Sequence, residues 1–365
     1  MQNRRDFVKT VAGAAAGMFA TGVPIMAAQA RSAQAGPAKR REVSVGRRRV
    51  KVVDVHGHFV EPSEMDVLKD TNLAGNVRNN ANGPLVLGPG RIQMLDEFGI
   101  DVQVLSHQGG WWYGADRDLA RRIVAVQNTK LAEWCAAHSD RFVGLASVAL
   151  QHPDLAAEQL EEAVKRQGLR GVGIAGHVAG EVPSSPKFDP FWTKAEELGA
   201  LVFVHPGGAD NIIKDGALRG RGDLGNIIGN PLETTMFFSR MIFDGTLDRF
   251  PRLKLCGAHA GGYLPSYLGR TDVTCEARTN ANCANKKHPR EYFRDQILAD
   301  SMVFSDEGLR HLVAEMGASQ VVYGTDMPFN WPANVDLILK ASFLSDADKE
   351  AILGGNLVKL LRLPA

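Results

Sequence analysis

The sequence predicts a (β/α)₈ TIM barrel, an α/β fold organised as a single domain, and three observations carry that expectation. Eight short, apolar, β-branched runs recur along the chain. Longer stretches of helical periodicity separate most of them, the pattern of a parallel sheet with crossover helices. Histidines and carboxylates collect just after the runs, where the βα loops of a barrel open onto one face. Eight units favour closure over an open doubly wound sheet. No GxGxxG follows the first run, which argues against a dinucleotide-binding arrangement.

The eight strands are expected at Lys51–Val55, Val102–Ser106, Phe142–Ala146, Gly171–Ala175, Leu201–Val204, Leu253–Gly257, Met302–Ser305 and Val321–Gly324. Helices are expected over Ala115–His138, Asp154–Gln167, Phe191–Leu198, Glu233–Asp244, Glu307–Glu315 and Asp346–Leu361. The first of these carries Leu119, Ile123, Val126, Leu131 and Trp134 at helical spacing. Asp154, after Pro153, is the N-cap candidate of the second. Phe59–Gly90, rich in Asn, Gly and Pro, reads as an excursion over the barrel mouth after strand one. Arg270–Pro289 reads as a second long polar connection.

The N-terminus is a separate object. Arg4-Arg5-Asp6-Phe7-Val8-Lys9 resembles a twin-arginine export signal, and an Ala/Gly-rich apolar run follows from Val11 to Ala28. Ala28-Gln29-Ala30 fits a small-residue cleavage site, with Ala33-Gln34-Ala35 as a second candidate. Residues 1–30 are therefore expected to be a signal peptide, and residues 31–49 a flexible basic leader holding Arg40, Arg41, Arg47, Arg48 and Arg49. Residues 50–365 form the barrel domain, with a periplasmic or otherwise exported destination. The apolar run is too weak for a stable membrane span in the mature form.

Composition narrows the function. The 365 residues are 44% hydrophobic and 23% charged, with a formal net charge of +1, so no strong field for nucleic acid is expected. The four cysteines make no CxxC pair. Cys275 and Cys283 are close enough in sequence to join in an oxidising compartment, and free thiols are the equal alternative. A homodimer is among the expected assemblies.

The chemistry sits at the strand ends. His56 and His58 close strand one, His107 follows strand two, His177 strand four, His205 strand five and His259 strand six. Ser305-Asp306 end the expected strand seven, and Asp326 ends strand eight. Residues two apart on a strand face one side, so His56 and His58 can hold one cation across Gly57. His205 adds a nitrogen. Barrel closure sets strand eight beside strand one, so Asp326 adds a carboxylate. Nitrogen ligands with one oxygen suit Zn²⁺ and leave room for a water. His259, set among glycines, is the candidate general acid/base beside that water.

These segments together resemble the amidohydrolase-related family typified by aminocarboxymuconate-semialdehyde decarboxylase. Val53-Asp54-Val55-His56-Gly57-His58 is similar to its opening motif, and Pro231-Leu232-Glu233-Thr234-Thr235 to its Pro-x-Glu-Thr segment. Phe250 to His259 resembles its strand-six motif, Tyr323 to Phe329 its strand-eight signature, and Gly355-Asn356-Leu357 its C-terminal helix motif. The resemblance runs from Val50 to about Leu361. It implies one divalent metal, usually zinc and sometimes manganese, on the positions matching His56, His58, His205 and Asp326, with proton handling at His259. It implies a decarboxylase acting on a small unsaturated or aromatic carboxylate. The alternative is a hydrolase of a lactone, ester, amide or carbon–carbon bond using the same water. Arg78, in the excursion, would hold the substrate carboxylate. His107, Trp111, Trp112, His177 and Phe329 complete the expected substrate-facing set, and Glu233 would orient His259 or a metal ligand. One departure stands out: Gly207 and Gly208 follow His205-Pro206 where decarboxylases of the family often carry Trp, which should enlarge or reshape the pocket.

Overall fold

The structure is a computed structural model, and it describes residues 40–364 except Gly110, Asp210 and Ala333. The expected export signal falls outside the described residues.

Eight parallel strands carry the domain: β1 Val53–Phe59, β2 Val102–His107, β3 Phe142–Gly144, β4 Gly171–Ile174, β5 Leu201–Val204, β6 Lys254–Gly257, β7 Ile297–Asp300 and β8 Val321–Val322. They form one parallel sheet in the order β1-β2-β3 and another in the order β4-β5-β6-β7-β8. Parallel bridges join the two sheets at both seams. Ala146 pairs with Val172 and accepts from Gly173 N at 3.0 Å. Gly57 pairs with Met327, and His58 N donates to Met327 O at 2.8 Å. The strands thus run as a ring, consistent with the expected TIM barrel.

Helices α1 Pro89–Phe98, α2 Arg117–Ala137, α3 Pro153–Lys165, α4 Asp189–Leu198, α5 Asn230–Phe243, α6 Pro289–Asp295 and α7 Asp306–Met316 lie between the strands. Their inner faces pack on the ring through a large apolar core that includes Leu131, Leu160, Trp192, Phe237, Phe293 and Leu312. α2 starts where Asp116 accepts from Leu119 N at 2.9 Å. In α3, His152 is the N-cap and Pro153 the first helical residue, so Asp154 is not the cap. Its carboxylate instead takes a two-pronged pair from Arg117, at 2.9 and 2.7 Å.

Three expectations are corrected. Strand seven is Ile297–Asp300, not Met302–Ser305. Its Leu298 and Ala299 suit a helix as well as a strand, and it follows α6 almost directly, so the run reads as the end of that helix. Ser305 caps α7 by accepting from Gly308 N. The C-terminal helix is broken by a wide turn at Ala351–Gly355 between Asp346–Glu350 and Asn356–Leu360. There Gly354 packs so tightly that a Cβ would lie 2.0 Å from Lys51 O. Finally, the basic stretch is no loose leader from Arg40 onward. Ser44–Val45 and Arg48–Arg49 form a hairpin with Val43, Val45 and Val50 buried. Arg40 and Arg49 both pair with Asp101, Arg41 with Asp336 and Arg48 with Glu350.

Candidate metal centre

The site begins with alternation on β1. His56 and His58 share one side of the strand, while a register shift against β2 between Asp54 and Gly57 leaves Asp54 on the other face beside Gln103, and all three are buried. Asp54 is a knot between three strand segments. It accepts from His56 N at 2.9 Å, Gln103 Nε2 at 2.8 Å, Thr325 N at 3.1 Å and Thr325 Oγ1 at 2.6 Å. Burial pushes its pKa up, and these donors work against that push. Gln103 is held in turn by Arg91 Nη1 at 3.0 Å, while Arg91 Nη2 donates to His58 O at 2.8 Å. Gly57 is required beneath this chain of contacts, since a Cβ there would lie 2.4 Å from Gln103 Cδ.

Four imidazoles and one carboxylate then crowd one point. His56 Nδ1 donates to Asp300 Oδ2 at 2.7 Å, which turns its Nε2 inward. That Nε2 lies 3.0 Å from His58 Nε2 and 3.2 Å from Asp326 Oδ1. His58 Nε2 is 3.0 Å from the same oxygen. The His205 ring centroid stands 4.5 Å from that of His58 and 5.1 Å from that of His56. His259 Nε2 is 3.6 Å from Asp326 Oδ2. Asp326 Oδ1 is buried and makes no hydrogen bond of normal geometry despite its two near nitrogens. Lone pairs facing each other at this range are a fit for a cation.

The electrostatics agree. For His56, burial lowers the pKa, but Asp326 and Asp300 outweigh it and raise it to about 10. Burial, helped by the neighbouring His56 and His259, lowers His58 to about 4 against the pull of Asp326. His205 is driven well below its usual value by burial and by three facing imidazoles. Burial alone would raise Asp326, yet His56, His259 and His58 hold it well below the carboxylate range. His58 and His205 are thereby kept unprotonated, the form in which imidazole ligates, while His56 holds its proton against Asp300 and Asp326 until a cation takes its place.

The structure brings His56, His58, His205, His259 and Asp326 together. The set whose ligand atoms all lie within 4.8 Å of one another is His56, His205, His259 and Asp326, so His259 is nearer the centre than the sequence suggested. It sits at φ 53, with Nδ1 buried and unpartnered. Asp300 is the residue the sequence reading missed, because strand seven was misplaced. Besides His56 it accepts from His259 N at 3.0 Å and Ala260 N at 2.7 Å, fixing that turn. A carboxylate closing the run Ile297-Leu298-Ala299 was the available signal.

The other candidates divide. Trp111 stacks over His205 with centroids 6.3 Å apart, and Phe329, partly exposed, lies 5.9 Å from the His58 ring. Trp112 instead packs in a separate apolar cluster with Val60, Leu68 and Val77, under the excursion. His107 is buried against Glu64, which also accepts from Gln127. Arg78 is exposed on Gly75–Asn80 and has no side-chain partner among the described residues. Glu233 does not reach His259. Its Oε2 accepts from Gly208 N at 2.6 Å, and its Oε1 lies 3.7 Å from His177 Nε2, so it holds the loop that follows His205. Cys275 and Cys283 form a disulfide.

Comparison with known proteins gives a consistent picture. A family model described as Amidohydrolase matches residues 53–363. A 2-amino-3-carboxymuconate-6-semialdehyde decarboxylase of Dictyostelium discoideum is 35% identical over 280 residues, covering 75% of this chain and 76% of that protein. The crystal structure of 5-carboxyvanillate decarboxylase from Sphingomonas paucimobilis is 27% identical, with a TM-score of 0.78 over 86% of this chain and all of that one. A dihydroxybenzoic acid decarboxylase from Polaromonas sp. JS666, with bound manganese and the inhibitor 2-nitroresorcinol, is 26% identical with a TM-score of 0.73, covering 86% and 97%.

Proposed function

The chain belongs to the amidohydrolase family, and from that premise we propose that it is a metal-dependent decarboxylase of small aromatic or unsaturated carboxylates. The observation that carries the reading is the convergence of the His56 and His58 Nε2 atoms on the buried, unpartnered Oδ1 of Asp326. The decarboxylase names of its similar proteins support the reaction class.

His56, His58, His205 and Asp326 are the proposed holders of the cation. A divalent ion bound there supplies Lewis-acid polarisation of a substrate oxygen. Zinc is the proposed ion on the donor set, and metal analysis of the purified protein separates it from the manganese of the Polaromonas structure. Trp111, stacked over His205, offers its face to a substrate ring. The bond from ring carbon to carboxyl breaks and leaves its electron pair on that carbon. His259 then delivers a proton there from Nε2, and CO₂ departs. Asp326 Oδ2, 3.6 Å away, orients that imidazole. His259 is half-buried, so it regains its proton from solvent. Arg78, exposed and without a side-chain partner among the described residues, is proposed to meet the incoming carboxylate.

Residues 1–30 are proposed as a twin-arginine signal that exports the folded domain. The Cys275–Cys283 disulfide supports an oxidising destination. Among the described residues no helix is long and apolar enough to cross a membrane. A homodimer is proposed on the exposed side chains of Ile227, Ile228, Met236 and Tyr267, and light scattering checks it.

The test is CO₂ release from 2,6-dihydroxybenzoate and 5-carboxyvanillate by metal-loaded protein, beside a panel of lactones. Metal-dependent CO₂ release is expected. Lactone opening with no CO₂ from any carboxylate would overturn the decarboxylase reading in favour of hydrolysis.

A further inference from the structure

Gly207 has no evident reason to be glycine. Its φ lies outside the left-handed region, whereas its neighbour Gly208, at φ 115, does need glycine. A Cβ on Gly207 would make only ordinary contacts, 3.6 Å to Trp111 Cζ3, 3.6 Å to Ala175 Cβ and 4.0 Å to Glu233 Oε1. The residue is exposed. What the missing side chain leaves is space between Trp111, the wall over His205, and the Glu233 carboxylate.

Glu233 is the second half of the argument. It is 1% exposed, its Oε2 is taken by Gly208 N, and its Oε1 is buried with no hydrogen bond of normal geometry, although the N–H groups of Gly176, His177 and Gly207 face the carboxylate. His177 Nε2 stands 3.7 Å from that oxygen. A cavity of about 190 Å³ opens beside the pair, lined by Gly176, His177, Ile212, Glu233, Met236 and Phe237. A buried acceptor facing a cavity is costly unless a donor meets it.

We propose that Gly207, Glu233 and His177 form a specificity-determining subsite that accepts a hydrogen-bond-donating substituent, a hydroxyl or amino group, on the side of the substrate away from the carboxylate it loses. This rests on the reading of the metal centre as the place where an aromatic carboxylate binds. The substituent passes over Gly207 and donates to Glu233 Oε1. Ile212, Met236 and Phe237 form the apolar part of the cavity lining beside that contact. A substrate with an acceptor-only group at the same position leaves two acceptors facing each other, which a buried site rejects strongly.

The experiment is calorimetric binding to the manganese-loaded full-length protein at pH 8, with 2,4-dihydroxybenzoate and 2-hydroxy-4-methoxybenzoate as a matched pair. The wild type is expected to prefer the hydroxyl compound at least tenfold. Glu233→Gln keeps an oxygen for Gly208 N and turns its amide N–H₂ toward the cavity, so the preference should fall to parity or reverse. Gly207→Ala, which the ordinary contacts tolerate, should cut the preference at least threefold while the methoxy compound binds within twofold of wild type. No preference in the wild type, including no binding of either compound, overturns the subsite. So does a preference that survives Glu233→Gln. Because the readout is binding, the subsite can stand where CO₂ release is absent, and it can fall where CO₂ release is robust.

Discussion

Single residues set the chemistry of this site through the atoms they turn inward. Asp300 fixes the proton of His56 on Nδ1 and so frees Nε2 for a cation. Asp300→Asn is expected to weaken metal affinity by roughly 10–100-fold, the usual range for a lost partner behind a ligand. Titration with a competing chelator measures it, and unchanged affinity would remove Asp300 from that role. His259→Ala should retain metal and lower turnover by ~10²-fold or more, whereas His58→Ala should lose metal. The reverse pattern would make His259 the ligand, as its place in the set converging within 4.8 Å allows. Glu233 adds a pH signature. Burial raises its pKa from the ordinary 4.5 to about 7, against the backbone N–H groups that face it. The native state therefore holds a proton that the unfolded chain has lost between those values, so stability falls as pH rises through that window. Between pH 4.5 and 8 wild type should lose up to roughly 3 kcal/mol relative to Glu233→Gln. Denaturant unfolding of both proteins at each pH checks it, and parallel curves would refute the assignment.

At the scale of elements, the precision of the centre comes from strand contacts rather than loops. Asp54 clasps β1, β2 and the Thr325-Asp326 segment with four donors. Gly57 is the gap through which Gln103 reaches it. Gly57→Ala should cost about 1–3 kcal/mol by overpacking and loosen metal binding as well, while Gly207→Ala should cost little. Equal stability of the two variants would contradict this account of the glycines. The same elements explain what the sequence disclosed. Strands with β-branched residues, such as Val102–His107 and Leu201–Val204, announced themselves, and so did the HxH alternation on β1. Ile297–Asp300 did not. Its Leu and Ala fit a helix as well as a strand, and only pairing with β6 and β8 makes it a strand. The error hid Asp300. Glu233, expected to orient His259 or a metal ligand, holds Gly208 instead. Side-chain direction decided the remaining cases: Trp111 and Trp112 are adjacent, yet one stacks over His205 and the other packs into an apolar cluster.

Across the whole molecule, the ring of strands gathers residues from opposite ends of the chain. Asp326 is 270 positions from His56 by number, and the seam between β1 and the segment after β8 makes them neighbours. The N-terminal hairpin belongs to this unit. Asp101 is buried, accepts from Val52 N at 2.7 Å and is neutralised by Arg40 and Arg49. A chain beginning at Val50 strands that carboxylate and uncovers Val43 and Val45 contacts. It should be less stable than one beginning at Arg40 by about 1–3 kcal/mol, the scale of leaving one buried acceptor without its partners. Equal melting temperatures would show that the hairpin is only appended. The most direct test of the account is metal stoichiometry, measured by elemental analysis on wild type and Asp326→Asn purified with one equivalent of zinc or manganese supplied. The expected result is one ion per wild-type chain and a large loss in the variant. A wild type that holds no ion, or a variant that holds it as tightly, would contradict the claim that these side chains meet on a single cation.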